Sequence, residues 1–505
     1  MKIKIKALKK YWLIIFIILL ALFLRLYRIS GYMTFLGDEG RDSLVWLRMV
    51  NDAKFTLIGP QTSIGNMYLG PLYYYLMLPF YFVLGAIGPS IGVALFAGAT
   101  TFLLWFCGRE WFSAKVGLIA SFLYAISPVA VILSRSSWNP NVMPFFSLMT
   151  IFGIWQFWQK NKFWWLPVIG IMLSFAIQSH YLGVLLIPTV GLFWLIKLIS
   201  LIRGGKKLVS KFFLHSVLCI LSFALLTIGP LVWFDLRHNF INYNSFHKFF
   251  SERQTTVNLK AYKAIPQLWP LWRTLITRLL SGTNEYFGLW LSFMLLIITA
   301  VATCFSVVKK KFFNEKSFFL LLTWTIIGLL GMGLYKQHIY DHYFGFLFPA
   351  IFLLAAVALE KIKQINKAGK LLSLLLLIIF VGLSILNSPL KYSPNFQLKH
   401  TAQVDERIVQ EIQGKPFNLG MIAKQNYDAG YRYFLEKWGN KAVEIDAQRS
   451  AQTITEQLFV VCEVQDCQPI NHPQAEIANF GWAKIEQTWE FPWGVRLFKL
   501  VHTEK

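Results

Sequence analysis

The stretch YWLIIFIILLALFLRLYRI, residues 11–29, is followed closely by FLGDEGRD, residues 35–42. The first segment is apolar and long enough to cross a membrane as a helix, which takes roughly 20 residues. No small-residue cleavage site follows it, so we interpret it as a retained first span and not as a secretory signal. The second segment places three carboxylates and an arginine just after that span. Charge at such a boundary requires a structural or functional reason.

The composition is that of a polytopic α-helical membrane protein. Of 505 residues, 56% are hydrophobic and 15% are charged, and the mean hydropathy is +0.50. The net charge of +24 would suggest a nucleic-acid partner in a soluble protein. Here much of the lysine and arginine lies in short links between apolar segments, so we interpret the charge as a topology signal and expect no nucleic acid.

The length test predicts about eleven transmembrane helices. They begin near Tyr11, Ser90, Val116, Val142, Phe163, Tyr181, Phe212, Glu285, Ser317, Tyr343 and Leu371. With the N-terminus in the cytoplasm, the links on the inner side are residues 109–115, 160–162, 203–211, 309–316 and 361–370. All of these links are basic, as the positive-inside rule requires. The pattern predicts a multi-pass plasma-membrane protein whose unusual polar loops lie outside the cell.

One apolar segment does not fit this count. Residues 66–88, NMYLGPLYYYLMLPFYFVLGAIG, are interrupted by Pro71 and Pro79. If this segment crossed the membrane, every later link would change sides and the lysine-rich links would face outward. We therefore expect it to dip into the membrane or lie on its surface. The alternative is a true span that is compensated by the loss of a later one.

The chain becomes polar near residue 390, which predicts two domains, residues 1–390 and 391–505. An amphipathic pattern over residues 404–412 predicts a helix, and FNLGMI, QLFVVCE and VRLFKLV predict strands. We expect a small extracytoplasmic α/β domain. Cys462 and Cys467 lie within it, and a local disulfide between them is plausible if the domain is outside the cell.

Asp38 and Glu39 allow two interpretations. Either could cap the helix that is predicted to follow, where the helix dipole favours acidic groups. Capping accounts for one carboxylate or two, but not for a tight acidic cluster at a low-dielectric boundary. Because burial there would raise a carboxyl pKa, the cluster favours a general base. We expect both residues to be catalytic.

Basic and aromatic side chains collect in the predicted outer loops, where they could anchor the protein in the lipid headgroups. Their density also suits the binding of a lipid-linked phosphate. The candidates are Arg41, Arg135, His180, Arg237, His238, Lys336, His342 and Tyr343.

A metal site is a weaker hypothesis. His338 and His342 are four residues apart, so in a helix they would share a face and could bind a metal. No motif such as H-E-x-x-H accompanies them, and a hydrogen-bonded pair at the membrane interface is the expected alternative. We expect no required cofactor.

The run Tyr73-Tyr74-Tyr75, with Trp138 and Tyr343, predicts an aromatic belt at the membrane surface. An aromatic wall for a sugar or an isoprenoid is the alternative.

Several short motifs in their order along the chain resemble those of the bacterial membrane glycosyltransferases of family 39. This family includes the protein O-mannosyltransferases and is similar to the lipid A aminoarabinose transferase. The motifs are the Asp-Glu pair after the first span, GPLYYYL at 70–76, SRSSWNPN at 134–141, FDLRHNF at 234–240 and HYFGFLFP at 342–349. The resemblance covers about residues 10–390.

The resemblance implies a GT-C fold and the transfer of a sugar from a polyprenyl-phosphate donor to an extracytoplasmic acceptor. It places the acceptor-activating carboxylate at Asp38, with Glu39 beside it, and the donor phosphate at Arg135 and Arg237, less securely at Lys336. Pro71, Tyr73 and Tyr74 belong to the first-loop segment that carries the resemblance.

The chain departs from relatives of the aminoarabinose type in one link. Those relatives have an acidic residue after the third span, where this chain has Asn139 and Asn141. The two asparagines could hydrogen-bond a sugar, but they cannot serve as a second base.

A transporter or flippase of lipid-linked sugars is the rival interpretation. Transporters place ionisable groups and broken helices near the bilayer midplane. Here the charges lie at the ends of spans, which favours the enzyme.

Overall fold

The computed structural model describes residues 2–62, 67–203, 206–251, 257–258, 260–308 and 315–503. It forms two compact units. The first, the helical unit, comprises Met1–Tyr27, Thr56–Phe80 and Gly88–Ser393. The second, the α/β unit, comprises Arg28–Phe55, Tyr81–Ile87 and Pro394–Lys505.

Helices dominate the described chain. In chain order they are α1 (Lys2–Leu26), α2 (Ile29–Tyr32), α3 (Gly37–Asn51), α4 (Leu72–Leu84), α5 (Gly88–Trp111), α6 (Ala114–Ile126), α7 (Pro128–Leu133), α8 (Met143–Gln159), α9 (Trp165–Ser179), α10 (Leu186–Ile202), α11 (Lys206–Phe223), α12 (Gly229–Arg237), α13 (Ile241–Ser251), α14 (Ile265–Leu280), α15 (Glu285–Val308), α16 (Lys316–Gly333), α17 (Phe348–Lys363), α18 (Lys367–Leu386), α19 (Gln397–Glu411), α20 (Ala429–Lys437), α21 (Ser450–Thr453) and α22 (Ala475–Phe480).

A helix occupies each of the eleven predicted spans. Within the described residues, six helical segments are long and apolar enough to cross a membrane: Leu72–Trp111, Tyr181–Ile202, Leu208–Arg237, Lys316–Gly333, Asp341–Lys363 and Lys367–Leu386. Tyr11–Leu26, Ala114–Ile126 and Trp165–Ser179 are apolar but shorter. The chain is a multi-pass membrane protein, and the count of eleven spans stays a prediction.

The segment predicted to dip into the membrane is helical. Leu72–Leu84 forms α4 despite Pro79, and the turn Gly85–Ile87 leads into α5, so Leu72–Trp111 is one apolar stretch of 40 residues. Its side of the membrane stays a prediction. Asn66 at its start lies outside the described residues, as do residues 204–205 and 309–314 of two predicted inner links.

The long outer loop expected over residues 235–284 contains helices that the sequence analysis did not predict. Within α14, Arg273 and Arg278 interrupt the apolar run, which is why this segment failed the length test. The helical spacing still buries Trp272, Leu275 and Leu279 on one side. The chain bends by 114° between the segments Ala261–Leu280 and Glu285–Val301.

The helical unit is organised around α17, which is buried along almost its whole length. A buried arginine joins α1 to α6: the Arg25 guanidinium donates to the carbonyls of Ala21 at 3.0 Å and Ala125 at 2.9 Å. A buried charge is costly unless it is hydrogen-bonded, so these carbonyls set the packing of the two helices.

The α/β unit contains a four-stranded sheet. Its strands are β1 (Asn418–Ile422), β2 (Gln457–Cys462), β3 (Ala483–Glu490) and β4 (Arg496–His502), in the order β1-β2-β4-β3. β1 and β2 are parallel, and the other pairs are antiparallel. The predicted α/β fold is confirmed. The sequence analysis missed β3, because its side chains are mostly exposed and polar and form no apolar run.

Two features of this unit bear on the sequence-based expectations. Cys462 and Cys467 form the disulfide considered above. The expected boundary near residue 390 lies close to the observed break after Ser393, but residues 28–55 group with the tail and not with the first domain. The physical reason is that α3 packs directly on α20, with Gly40 against Gly430.

We predict that Phe459→Ala destabilises the α/β unit by about 3–5 kcal/mol, because this fully buried ring packs against Phe417 at the centre of the sheet. Protease sensitivity of residues 394–505 in the full-length protein should rise sharply. Trp482→Ala is the control, since Trp482 is exposed. Equal sensitivity of the two variants would contradict the prediction.

Candidate functional site

The acidic segment forms the first turn of α3 in the α/β unit. Leu36 precedes the helix in an extended conformation, and the Glu39 carboxylate accepts hydrogen bonds from the backbone N–H of Leu36, at 3.1 Å, and from the hydroxyl of Thr34. Glu39 is 8% exposed. Burial raises the pKa of its carboxyl, and these hydrogen bonds oppose that shift. The contacts give Glu39 a capping role, and its expected catalytic role stays a prediction.

Asp38 is more accessible, with its side chain 41% exposed. Its Oδ1 accepts hydrogen bonds from Arg41 Nη1, at 2.9 Å, and from Tyr427 Oη, at 2.7 Å. Within the described chain no hydrogen bond reaches Oδ2. The carboxylate is therefore oriented through one oxygen while the other is open to a ligand.

Arg41 is held by two carboxylates. Besides Asp38, its Nε and Nη2 donate to Oδ1 of the fully buried Asp42, at 3.0 and 2.8 Å. A guanidinium committed to two acids in this way has little charge left for a phosphate. Arg41 thus contacts both Asp38 and Asp42, and its expected binding of the donor stays a prediction.

The glycines on either side of the Asp-Glu pair are required by close approach. A Cβ on Gly37 would lie 2.2 Å from the Tyr427 ring, and a Cβ on Gly40 would lie 2.2 Å from the backbone nitrogen of Gly430. The N–H of Gly37 donates to Asn426 Oδ1 at 2.7 Å. The GDEG motif thus fits against the segment that joins β1 to α20. The glycine spacing is the signal from which this contact could have been predicted.

In the helical unit the structure brings several predicted residues into an aromatic cluster formed by Trp138, His180, Tyr181, His342 and Tyr343. The ring centroids of His180 and Tyr343 are 4.5 Å apart, and those of Trp138 and His342 are 4.2 Å apart. His180 and Tyr343 are buried. Segments far apart in sequence therefore meet here, as their predicted common side implied.

His338 does not share a helical face with His342. It precedes the 3₁₀ turn Asp341–Leu347 and packs against the Tyr340 ring at 4.5 Å. The expected i,i+4 pair is therefore wrong, and His342 lies beside His180 instead, at 5.8 Å. Within the described residues, no group of three metal-ligating side chains occurs.

Asn139 and Asn141, in the link where the sequence differs from the aminoarabinose-type relatives, are buried beside this cluster. Asn139 Nδ2 donates to the carbonyl of Ser179, and Asn141 Nδ2 donates to that of Ser136, at 3.0 Å. The Oδ1 of Asn141 has no hydrogen-bond partner among the described residues. That oxygen is available to a ligand hydroxyl or a water.

Arg135 has a structural role. Its guanidinium is buried and donates to the carbonyls of Leu24 and of Tyr27, the latter at 2.7 Å, where α1 ends. Cations that satisfy the last carbonyls of a helix stabilise it. The expected phosphate contact of Arg135 stays a prediction.

The remaining predicted cations are exposed. Arg237 lies over the Trp233 ring at 5.1 Å and forms no ion pair within the described chain. His238 stacks on Phe234 at 4.0 Å, and Lys336 is exposed. Asp235, in the same segment as Arg237, accepts hydrogen bonds from the backbone N–H groups of Asn242 and Tyr243. These bonds give the Asp235 carboxylate a structural role.

The tyrosine run does not form a surface belt. Tyr73 and Tyr74 are buried, and Tyr73 Oη lies 2.9 Å from Ser137 Oγ. Pro71 is also buried. Only Tyr75 is exposed, and its hydroxyl donates to the carbonyl of Thr56. The belt interpretation is therefore wrong for Tyr73 and Tyr74, which pack inside the helical unit.

The sequence analysis did not predict the side chains that hydrogen-bond to the candidate site residues or to the segments that carry them. Tyr427 and Asn426 lie in a short polar loop whose composition carries no catalytic motif. Arg278 donates from Nε to Asp341 at 2.8 Å and so ties α14 to the turn that carries His342. Such pairings depend on packing between distant segments, so the sequence of either segment alone does not reveal them.

A bidentate ion pair fastens α3 to α20: Arg48 Nε and Nη2 lie 2.7 and 2.8 Å from the two oxygens of Glu436. The hydrogen bonds from Arg48 hold the pKa of Glu436 below its ordinary value. A depressed carboxyl pKa stabilises the fold above the unfolded pKa, about 4.3, and this stabilisation is lost as the pH falls through the folded pKa.

We predict that Glu436→Gln lowers the thermal stability of the full-length protein at pH 7 by up to about 1 kcal/mol, because the pair is partly exposed. The difference from wild type should close below about pH 4. Glu456→Gln, at an exposed position, is the control. A difference that persists in acid would contradict an electrostatic origin.

Comparison with known proteins agrees with this architecture. Residues 70–233 match the family model described as dolichyl-phosphate-mannose-protein mannosyltransferase. No curated protein sequence matches the chain. The resemblance to membrane glycosyltransferases noted from the sequence is thereby confirmed by an independent match over part of the chain.

The structure is similar to ArnT from Cupriavidus metallidurans bound to undecaprenyl phosphate, with 12% identity, a TM-score of 0.60 and coverage of 98% of both chains. It is also similar to the oligosaccharyltransferase of Archaeoglobus fulgidus in complex with Zn and sulfate, with 12% identity and a TM-score of 0.53. That match covers 96% of this chain and 72% of the other. At these identities the matches show the fold, which is the expected GT-C fold.

Proposed function

We propose that this protein transfers a sugar from a polyprenyl-phosphate donor to a hydroxyl acceptor on the outer face of the plasma membrane. The GT-C fold and the family match over residues 70–233 support a membrane glycosyltransferase that uses a lipid-phosphate-linked donor. The observation that carries the proposal is the carboxylate of Asp38, which is oriented through Oδ1 and open at Oδ2.

In the proposed reaction the acceptor oxygen attacks the anomeric carbon of the donor. The bond between that carbon and the phosphate oxygen breaks, and the lipid phosphate leaves with the electron pair. The acceptor proton moves to Oδ2 of Asp38. One base opposite one phosphate leaving group suffices for a single displacement, so we propose inversion at the anomeric carbon.

The donor phosphate needs a cation that is not already neutralised. Arg25, Arg41 and Arg135 are bound to carbonyls or carboxylates. We therefore propose Arg237 as a phosphate ligand, because it is exposed and forms no ion pair within the described chain. A guanidinium suits a phosphate through its paired N–H donors. Lys336, which the family resemblance also indicates, is a second candidate.

We also propose that the aromatic cluster of the helical unit contributes to substrate recognition. Aromatic faces and a small number of polar groups are typical of sugar and isoprenoid pockets. Here Trp138, His180 and His342 supply ring faces, and Asn141 Oδ1 supplies an unsatisfied acceptor.

We also propose that no metal takes part. The basis is the link at residues 139–141, where asparagines replace the acid of the aminoarabinose-type relatives, because amides bind divalent cations more weakly than carboxylates. The disulfide Cys462–Cys467 supports an extracytoplasmic tail, since disulfides persist in oxidising compartments.

Asp38→Asn should reduce the transfer rate by about 10²–10⁴-fold, the usual contribution of a general base. The assay uses full-length protein in proteoliposomes with radiolabelled polyprenyl-phosphate sugars and membrane-extract acceptors, with and without a chelator. Asp52→Asn is the matched control, because Asp52 lies just past the end of α3, is exposed and forms its ion pair with Lys54.

Full transfer by a folded Asp38→Asn protein would contradict the mechanism. Loss of wild-type activity on chelation would contradict the metal-free reaction. Movement of the donor between leaflets without any transfer would favour the transporter.

Arg237→Gln should raise the KM for the donor about tenfold, with a smaller change in kcat, because one charge-assisted contact to the phosphate is lost. Arg109→Gln is the control: Arg109 is also exposed and stacked on a tryptophan, Trp105, but lies in a predicted inner link. If the KM for the donor is unchanged in Arg237→Gln, another cation binds the donor phosphate.

A further inference from the structure

The C-terminal tail supplies a side chain to the candidate base. We infer that Tyr427 is a positioning residue that fixes the carboxylate of Asp38 for proton transfer, an inference that rests on the proposed function. The observation is the hydrogen bond from Tyr427 Oη to Asp38 Oδ1 at 2.7 Å, between residues 389 positions apart in the chain.

Both donors to Asp38 converge on the same oxygen. Arg41 Nη1 and Tyr427 Oη contact Oδ1, while within the described residues Oδ2 receives no hydrogen bond. The terminal torsion of aspartate is broad, so a single contact would leave the carboxylate plane free to turn. Two donors on Oδ1, one from α3 and one from the tail, restrict this torsion and leave Oδ2 for the acceptor.

Tyr427 is itself held firmly against the start of α3. Asn426 Oδ1 accepts from the N–H of Gly37 at 2.7 Å and from the N–H of Tyr427 at 2.9 Å. Asn426 Nδ2 donates to Glu463 at 2.9 Å. The carboxylate of Glu463, just past β2, also accepts from Tyr431 Oη at 2.8 Å. This chain of hydrogen bonds connects the end of the sheet to the turn that carries Asp38.

The ring of Tyr427 contributes by packing. It lies so close to Gly37 that any Cβ at that position would overlap its carbons. The hydroxyl therefore cannot move away from Asp38 without loss of the contact between the ring and the helix start. Positioning of the base and packing of the tail against α3 are achieved by the same side chain.

The phenol remains a donor at the pH of the reaction. Burial raises the pKa of Tyr427 above its ordinary value, and the nearby carboxylate of Asp38 raises it further, although Arg41 opposes both. A protonated hydroxyl can donate to Asp38 throughout the cycle. Tyr427 therefore orients the base without accepting the proton itself.

The test is Tyr427→Phe, which keeps the ring on Gly37 and removes only the hydroxyl. In the proteoliposome assay kcat should fall about tenfold, the lower end for a hydrogen bond to a charged group. The KM values for donor and acceptor should stay within about twofold, because Tyr427 contacts neither in the proposed mechanism. If Tyr427 only stabilised the fold, its replacement would not lower kcat while leaving both KM values unchanged.

Tyr433→Phe is the matched control. It removes a tyrosine hydroxyl that lies 3.2 Å from Tyr81 Oη in the same unit, away from Asp38. Its kcat should stay within about twofold of wild type, even though Tyr433 is fully buried and Tyr427 is 41% exposed, so that its removal perturbs the fold at least as much. Asn426→Ala, which releases the segment that holds Tyr427, should reproduce the loss of kcat.

The results of these assays distinguish the proposed function from the positioning role of Tyr427. Absence of transfer by wild type, or full transfer by Asp38→Asn, overturns the proposed function and this inference with it. If wild type is active and Asp38→Asn is not, a Tyr427→Phe variant with wild-type kcat overturns the positioning role alone. Equal losses of kcat in Tyr427→Phe and Tyr433→Phe would also overturn it, because the loss would then follow from altered folding.

Discussion

The close approach of α3 to the tail of the chain is the constraint on which the candidate site depends. Gly37 and Gly40 leave no room for a side chain between the helix start and residues 427–430. That contact brings a tyrosine hydroxyl to Asp38, while Arg48 and Glu436 fasten the far end of the helix. The acidic segment is therefore part of the α/β unit, and its geometry depends on a domain that lies more than 350 residues later in the chain.

The cost of burying charge explains why several residues that were predicted to bind substrate contact other groups of the protein. Burial of a charged group is costly unless the group is hydrogen-bonded or paired, so buried ions tend to be bound by other groups of the protein. Glu39 caps α3, Arg135 satisfies the carbonyls at the end of α1, and Asp42 engages Arg41. Among the described residues with a predicted site role, Asp38 keeps an oxygen without a hydrogen bond, Arg237 is exposed, and Asn141 has a buried acceptor without a partner. Density of charge in a sequence is thus a poor guide to which charges contact substrate.

The sequence was a good guide to periodicity and order. Each expected span is a helix, three of the four strands were predicted from short apolar runs, and the motifs at residues 138–141, 180–181 and 342–343 do meet. The failures have specific causes. The charged residues of α14 reduced its apparent hydropathy, β3 has an exposed polar surface, and His338 lies in an extended segment where spacing of four has no meaning.

The sequence by itself determined the membrane class, the α/β character of the tail and the position of the acidic segment after the first span, because hydropathy and periodicity are local properties. Tertiary structure decided which carboxylate is capped and which is open, which arginines are neutralised, and that Tyr427 reaches Asp38. The physical reason is that hydrogen bonds and ion pairs depend on distances of about 3 Å. The folded conformation sets such distances, both within the first turn of α3 and between segments far apart in the chain.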